Sequence, residues 1–288
     1  MKVLILGCGY TGSRLARFLQ SQAIPVQGTT RSGMCPPEVT MPCFAFSSDV
    51  AAQISLNPIA LEGATHVLTT IPPNEQGNDP VVQSLLPQLE QLARQGTLQW
   101  FGYLSTTGVY GDTGGAWVDE TSPLQPQNQR SQHRVKTETA LLKSGLPTHI
   151  FRLPGIYGPG RSAFERIRSG MAQRIDRPGH VFSRIHVDDI VQTLWRSMLQ
   201  PASGEIYNIS DDLPSEPADL ITHACELLGV QPPEWIPYNQ VKLSPMAASF
   251  WSECRRVENY KIKNQLGVEL LYPTYREGLQ AILKETGQ

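Results

Sequence analysis

Gly7-Cys8-Gly9-Tyr10-Thr11-Gly12 sets three glycines at G-x-G-x-x-G spacing, between the apolar run Val3-Leu4-Ile5-Leu6 and a stretch with Leu15, Phe18 and Leu19 at helical spacing. Strand, glycine turn and helix in that order can hold a pyrophosphate. Gly7 permits the tight turn, Gly9 lets backbone approach the phosphates, and Gly12 lets helix and strand pack closely. The anion then sits at the helix N-terminus, where N–H groups and the helix dipole favour negative charge. Gly7, Gly9, Tyr10, Thr11 and Gly12 are therefore candidate contacts for a dinucleotide. The bland alternative is a glycine-rich turn in any α/β domain.

A second extended stretch, Val26 to Thr30, ends at Arg31. Sites for NAD usually place an acid near this point for the ribose hydroxyls, whereas Arg suits a 2′-phosphate. No acid occurs between Lys2 and Thr30, and the first is Glu38. Arg31 argues for NADP, with NAD as the alternative, and against it stands an arginine that merely stacks on adenine.

The rest of the chain supplies the elements such a site needs. Phe44-Ala45-Phe46 reads as a third strand ending near Asp49, and residues 50–63 as a weak helix and turn. His66 to Ile71 is a fourth strand halted by Pro72-Pro73, and its carboxyl end is expected over the cofactor. Asp79-Pro80 caps a helix with Val81, Val82, Leu85, Leu86, Leu89 and Leu92, kinked by Pro87. Trp100 to Ser105 and His149 to Leu153 read as a fifth and a sixth strand, and Ile206 to Ile209 as a further one. Residues 218–228 form a helix, and Gln231 to Pro245 is Pro-rich and irregular. Alternating strands and helices predict an α/β fold, a Rossmann-type doubly wound parallel sheet with a smaller C-terminal α/β part for the substrate. The expected division is 1–153 plus 185–212 against 154–184 plus 213–288.

Composition narrows the function. A net charge of −2 over 288 residues gives no reason to expect nucleic acid, and no apolar stretch approaches a membrane span of about 20 residues. The run before Cys8 is too short for a signal peptide. Five cysteines form no C-x-x-C pair, so reduced thiols and a cytoplasmic location are expected. The six histidines are scattered without zinc spacing, so no metal is expected. A homodimer is compatible with the sequence.

Five spaced segments together resemble the extended short-chain dehydrogenase/reductases, the NAD-dependent epimerase/dehydratases. Ser105-Thr106-Thr107-Gly108-Val109-Tyr110-Gly111 is similar to that family's Ser/Thr strand followed by V-Y-G. Asp119 to Pro126 resembles its D-E-x-x-P-x-x-P loop, and Arg152 to Gly160 its R-x-x-x-x-Y-G-P-G segment between nicotinamide and substrate. Ile185-His186-Val187-Asp188-Asp189 and Tyr207-Asn208-Ile209 complete the series. The closing Tyr272-Pro273-Thr274-Tyr275-Arg276 resembles the C-terminus of atypical members.

The resemblance implies cofactor contacts also at Asp49, at Thr70, Ile71 and Pro72, and at Pro154, and substrate contacts at Tyr157 and Arg161. It also exposes a departure. The family's proton donor is the Tyr of Y-x-x-x-K, and Pro126 to Leu142 contains no Tyr. Aligning Glu138 with the family's glutamate puts Arg134 at the Lys position and Arg130 at the Tyr position. Aligning Lys136 as the Lys puts Gln132 there instead. The first register is preferred because Leu141-Leu142 then continue the helix. A guanidinium stays protonated at pH 7 and cannot exchange a proton usefully, so Arg134 is expected to neutralise or clamp phosphates.

Thr106, three residues before Val109, falls at the family's Ser/Thr position and is a catalytic candidate, as is Tyr110. Against each stands a plain structural role, a satisfied strand-end threonine and a packed ring. His133 has a suitable pKa but is expected to face away. Asp188-Asp189 reads as a helix cap and its neighbour rather than a metal pair. Arg161, Arg166, Arg168, Arg174, Arg177 and Arg184 crowd one segment and suit a phosphorylated or carboxylated ligand, unless they form a solvated face. Two functions follow: an NAD(P)-dependent oxidoreductase or epimerase/dehydratase-like enzyme for a small anionic or nucleotide-sugar substrate, or an inactive NADP(H) sensor.

Overall fold

Val3, Leu4, Ile5 and Leu6 are all fully buried, the mark of a strand covered on both faces. They form β1 (Val3–Leu6) in a computed structural model that describes residues 1–47 and 55–285. α1 (Tyr10–Ser21), β2 (Val26–Thr30), β3 (Cys43–Ala45), β4 (His66–Thr69), α2 (Pro80–Ser84), α3 (Leu86–Arg94) and β5 (Trp100–Thr106) follow. Next come β6 (Trp117–Val118), α4 (Gln129–Lys143), β7 (Thr148–Leu153), β8 (Gly155–Tyr157), α5 (Ala163–Arg168), β9 (Arg174–Asp176) and β10 (Arg184–His186). The chain closes with α6 (Val187–Leu199), β11 (Glu205–Asn208), α7 (Pro217–Leu228), β12 (Trp235–Pro237), α8 (Pro245–Trp251), β13 (Arg256–Val257), α9 (Tyr260–Leu266) and α10 (Tyr275–Glu285).

Seven strands build one sheet in the order β11-β7-β5-β4-β1-β2-β3. β1 runs parallel to β2 and β4, β2 to β3, and β4 to β5. Strand order reverses at β1, which is the switch point where doubly wound sheets bind ligands at their carboxyl ends. Leu4, Leu6, Val67, Phe101, Tyr103 and Ile150 pack the core of this unit.

The chain divides into two compact units. The first holds Met1–Val109, Gln129–Arg152 and Val191–Tyr207; the second holds Tyr110–Asn128, Leu153–Ile190 and Asn208–Gln288. Relative to the expected bounds, residues 110–128, 153, 185–190 and 208–212 fall in the second unit. Pairing across long sequence separations explains this: β6 pairs with β13 and β10 with β8, both parallel. The second unit's core gathers Tyr157, Phe164, Ile221, Ala224, Tyr275 and Leu279 from β8, α5, α7 and α10.

Local chemistry explains most element boundaries. The helix expected over 81–92 is broken into α2 and α3 at Leu85, two residues before Pro87, whose ring clashes with a continuous helix. Asp79 caps α2 by accepting from the N–H groups of Val81 and Val82 at 3.0 and 3.1 Å. Residues 48–54 lie outside the described residues, so the expected helix over 50–63 is described only by a 3-10 turn at Pro58–Leu61. The stretch 231–245, expected to be irregular, contains β12, paired with β9. Three residues ending in proline carry no periodic pattern, and the partner strand defines them. Among the described residues no helix is long and apolar enough to cross a membrane.

Candidate functional site

In the first unit the glycine loop is held tightly on one side and left open on the other. Gly7 has φ +96°, and a Cβ there would lie 2.6 Å from Thr70 Oγ1 and 2.8 Å from Ile71 Cγ1. The Gly7 N–H donates to Thr29 Oγ1 at 3.0 Å, and Thr70 Oγ1 donates to the Gly7 carbonyl at 2.6 Å. A Cβ on Gly12 would fall 2.5 Å from that same carbonyl oxygen. The close approach of α1 to β1 therefore requires Gly12. Gly9 is different: it is exposed, and a Cβ there would meet nothing within 4 Å.

Gly9 is also the N-cap of α1, without a side-chain cap and with no acid in the first turn. Helix N–H groups and dipole thus present positive potential beside a glycine that leaves room, and these residues fit a pyrophosphate. Thr11 is buried and Tyr10 half-buried at this turn, with Ile71 half-buried and Pro72 exposed beyond β4. Arg31 is exposed immediately past β2. Asp49 lies outside the described residues.

The end of β5 meets α4 in the same unit. Thr106 is half-buried, and its Oγ1 accepts from the Gly108 N–H at 3.1 Å. A Cβ on Gly108 would lie 2.6 Å from Ser131 Oγ and 3.3 Å from Thr106 Oγ1, so two hydroxyls flank this glycine. Ser131 was not among the expected residues. Its buried position one residue after Arg130 follows from α4 packing, which the polar, weakly periodic sequence of that helix conceals.

α4 contains no tyrosine. Arg134 is half-buried, and its Nη1 donates to the Leu104 carbonyl at 2.7 Å and to the Tyr103 hydroxyl at 2.9 Å. Lys136, Gln132 and Arg130 are exposed. Arg134 is thus pinned to β5. Burial pushes the Tyr103 phenol up to about 12, which removes it from proton exchange at neutral pH. His133 is buried with its ring beside Gly77.

A buried ion pair clips these elements together. Arg152 of β7 reaches Glu138 of α4 at 2.7 Å, with both side chains at most 3% exposed. Ser105 Oγ donates to the same carboxylate at 2.5 Å. The residue preceding Thr106 is thereby tied to α4.

The second unit holds the remaining expected residues. Tyr110, a catalytic candidate, is 1% exposed and donates its hydroxyl to Asn208 Oδ1 at 2.7 Å. That is a packing role, and it follows from the turn at Thr107–Tyr110 directing the ring into the core. Tyr157 is buried too: its hydroxyl donates to the Thr274 carbonyl at 3.3 Å, and its ring occupies the space a side chain at Gly278 would need. Burial, helped by Asp211 and Asp189, pushes its phenol upward. Pro154 is half-buried and Arg161 exposed.

The arginine-rich segment does not converge. Arg174 lies over Trp235 at 4.3 Å, Arg177 over Tyr238 at 4.2 Å and Arg168 over Phe164 at 5.7 Å. Arg184 is buried and donates to Ser215 Oγ at 2.7 Å. Aromatic faces met only in the folded unit take these guanidinium groups, so the expected shared anion clamp is not formed by them. Asp189 accepts from the N–H groups of Leu271 and Tyr272 at 2.7 and 3.2 Å, anchoring a loop from the first turn of α6. Among the described residues no group of three His, Cys, Asp or Glu side chains is placed to hold a metal ion.

Burial pushes the Asp211 carboxyl up to about 8, against the pull of Arg184. A carboxyl raised in the folded state is protonated there while the unfolded chain is ionised. Its contribution is therefore full below about pH 4 and lost as pH rises to about 8. Thermal unfolding should show stability falling by a few kcal/mol over that interval, and Asp211→Asn should flatten the slope between pH 6 and 8.5. An unchanged slope in the variant would place the titration elsewhere.

Comparison with known proteins agrees with this architecture. The profile of the NAD dependent epimerase/dehydratase family matches residues 3–210. A functionally unknown conserved protein from Silicibacter pomeroyi is 42% identical with a TM-score of 0.88, over 100% of this chain and 99% of that one. Protein YeeZ of Escherichia coli K12 is 26% identical over 280 residues, 94% of this chain and 96% of its own. The human epimerase family protein SDR39U1, solved with NADPH, shares the fold at a TM-score of 0.73 and 18% identity, over 99% of both chains. With more than half its length matched and the glycine turn, Ser/Thr strand and parallel sheet in place, the chain belongs to the NAD dependent epimerase/dehydratase family.

Proposed function

We propose that the chain is an NADP(H)-dependent oxidoreductase or epimerase/dehydratase-type enzyme that acts on a small anionic or nucleotide-sugar substrate without the usual phenol. The observation that carries this reading is the glycine loop, closed behind Gly7 and Gly12, open at Gly9, and uncapped by any side chain. A bound nicotinamide supplies a hydride donor or acceptor. The backbone at Tyr10, Thr11 and Gly12 holds the pyrophosphate, and exposed Arg31 meets the 2′-phosphate. The human protein of the same fold holds NADPH, which supports the choice.

Thr106 is the residue offered to the substrate. The Gly108 N–H occupies an acceptor site of its oxygen and so orients the hydroxyl, whose proton can be donated to a carbonyl or hydroxyl oxygen. Arg134, pinned to β5, contributes fixed positive charge that favours a developing oxyanion, but it transfers no proton. Tyr103, Tyr110 and Tyr157 are buried and bonded within their units, so the proton comes from solvent or from the substrate itself. The five cysteines are free thiols, which supports a cytoplasmic location.

Cofactor affinity tests the reading. Titration calorimetry should give NADPH binding at least about tenfold tighter than NADH, since a charge-assisted bond to Arg31 is worth about 1.5–3 kcal/mol. Arg31→Asp should reverse that preference. No heat with either nucleotide would remove the cofactor and the enzyme together.

A further inference from the structure

Two buried histidines flank one tryptophan in the first unit. Trp100 of β5 stacks on His149 of β7 at 5.5 Å and on His66 of β4 at 6.2 Å between ring centroids, and all three are at most 3% exposed. Trp100 Nε1 donates to Ser197 Oγ at 3.0 Å, which sets the stack against the last turn of α6. Beyond α6, residues 201–204 run exposed to β11, the strand at the edge of the sheet. Two hydrogen bonds tie this connection to β7. The Ala202 N–H donates to His149 Nε2 at 2.8 Å, and the Gly204 N–H donates to the Thr148 carbonyl at 2.8 Å.

The bonding partners fix the protons of both rings. His149 Nδ1 lies 3.0 Å from the Pro147 carbonyl, which can only accept, so Nδ1 carries the hydrogen. Nε2 faces an N–H, which can only donate, so Nε2 is bare. Both partners are backbone groups and neither can exchange its role. His66 differs. Its Nε2 donates to the Met198 carbonyl at 3.3 Å, and its Nδ1 accepts from the Thr65 hydroxyl at 2.8 Å. That hydroxyl can turn to the Lys2 carbonyl at 3.3 Å and leave its oxygen to accept. One rotation therefore accommodates a proton on His66, whereas a proton on His149 sets two donors 2.8 Å apart.

We infer that His149 is a proton-operated latch: bare at Nε2 it holds the α6–β11 connection on the sheet, and protonated there it releases residues 201–204. The released ring gives its new N–H to water, which the exposed connection admits. Burial lowers the His149 pKa to about 4, against the pull of the Pro147 carbonyl. Around the stack, Glu205 of β11 favours charge on His149, His66 of β4 opposes it, and the Met1 amine opposes charge on His66. β5 and α6 bring the uncharged Trp100, Ser197 and Met198. In the open form the ring titrates near 6.5, so closure is fully favoured above that pH and weakens as pH falls towards 4. Between pH 7 and pH 5 the open fraction should rise about twentyfold.

NMR on the full-length protein tests this in two ways. Side-chain ¹⁵N shifts should show His149 with hydrogen on Nδ1 alone at pH 7. Amide exchange, corrected for its intrinsic pH dependence, should show the protection of Ala202 falling about twentyfold between pH 7 and pH 5, while Leu68 in β4 keeps its own. In His149→Gln the side-chain oxygen can take the place of Nε2 and cannot be protonated in this range. The Pro147 carbonyl still receives the Phe101 N–H at 2.9 Å in that variant. Ala202 protection should then be independent of pH. Hydrogen on Nε2 at pH 7 would overturn the proposal. So would a His149 ring that gains its proton while Ala202 stays protected, a result read on the wild type alone. Equal acid loss at Ala202 in His149→Gln would assign the opening to another group.

Discussion

Gly9→Ala should reduce NADPH affinity by about a hundredfold or more while leaving the unfolding temperature of the free protein unchanged. The two halves of this expectation have one cause. A Cβ at Gly9 meets no protein atom within 4 Å, and Gly9 has φ −83°, a value alanine adopts without strain. The added methyl group therefore costs the free fold nothing and occupies the space into which a pyrophosphate must come. Displacing the phosphates from the helix N–H groups loses charge-assisted bonds of about 1.5–3 kcal/mol each. Gly12→Ala is the contrasting variant. Its Cβ would lie 2.5 Å from the Gly7 carbonyl, so binding and stability should fall together. Calorimetry with NADPH beside a thermal melt separates the cases, and Gly9→Ala protein that binds NADPH normally would falsify the placement of the cofactor.

Glu138→Ala should destabilise the first unit by about 3–5 kcal/mol, because it leaves a buried guanidinium without its counter-charge. Arg152 is 3% exposed and cannot turn to solvent, and Ser105 loses its acceptor at the same time. The double variant Glu138→Leu with Arg152→Met should recover most of that loss, since the charge burial disappears with the pair. Urea titration measures both. A single variant within about 1 kcal/mol of wild type would mean that the pair is solvated and does not clip α4 to β5 and β7. Loss of the clip should also disturb Thr106, the neighbour of Ser105.

Much of the first unit is legible in its residues because its determinants are local. Four consecutive apolar residues before a glycine triplet make a buried strand and a turn. Pro87 interrupts a helix through its own ring, and Asp79 caps the piece before it through its own carboxylate. The absence of tyrosine from α4 is legible as well, since Gln129–Lys143 contains none. Contacts formed across long separations are not legible. Arg174, Arg177 and Arg184 look alike in sequence, yet Trp235, Tyr238 and Ser215 take them one by one. Tyr110 and Tyr157 sit in motifs that suggest a site, and both rings are turned into the core of their unit.

Residue order alone settled the α/β alternation, the glycine turn and the family, because each is written in short-range pattern: strand against helix period, glycine where a side chain would clash, a helix start without an acid. Tertiary structure decided which arginine faces inward on α4, which hydroxyls flank Gly108, and which charges are neutralised by burial in pairs. Side-chain direction and desolvation depend on what the rest of the chain packs against each residue, and no local window of sequence contains that partner.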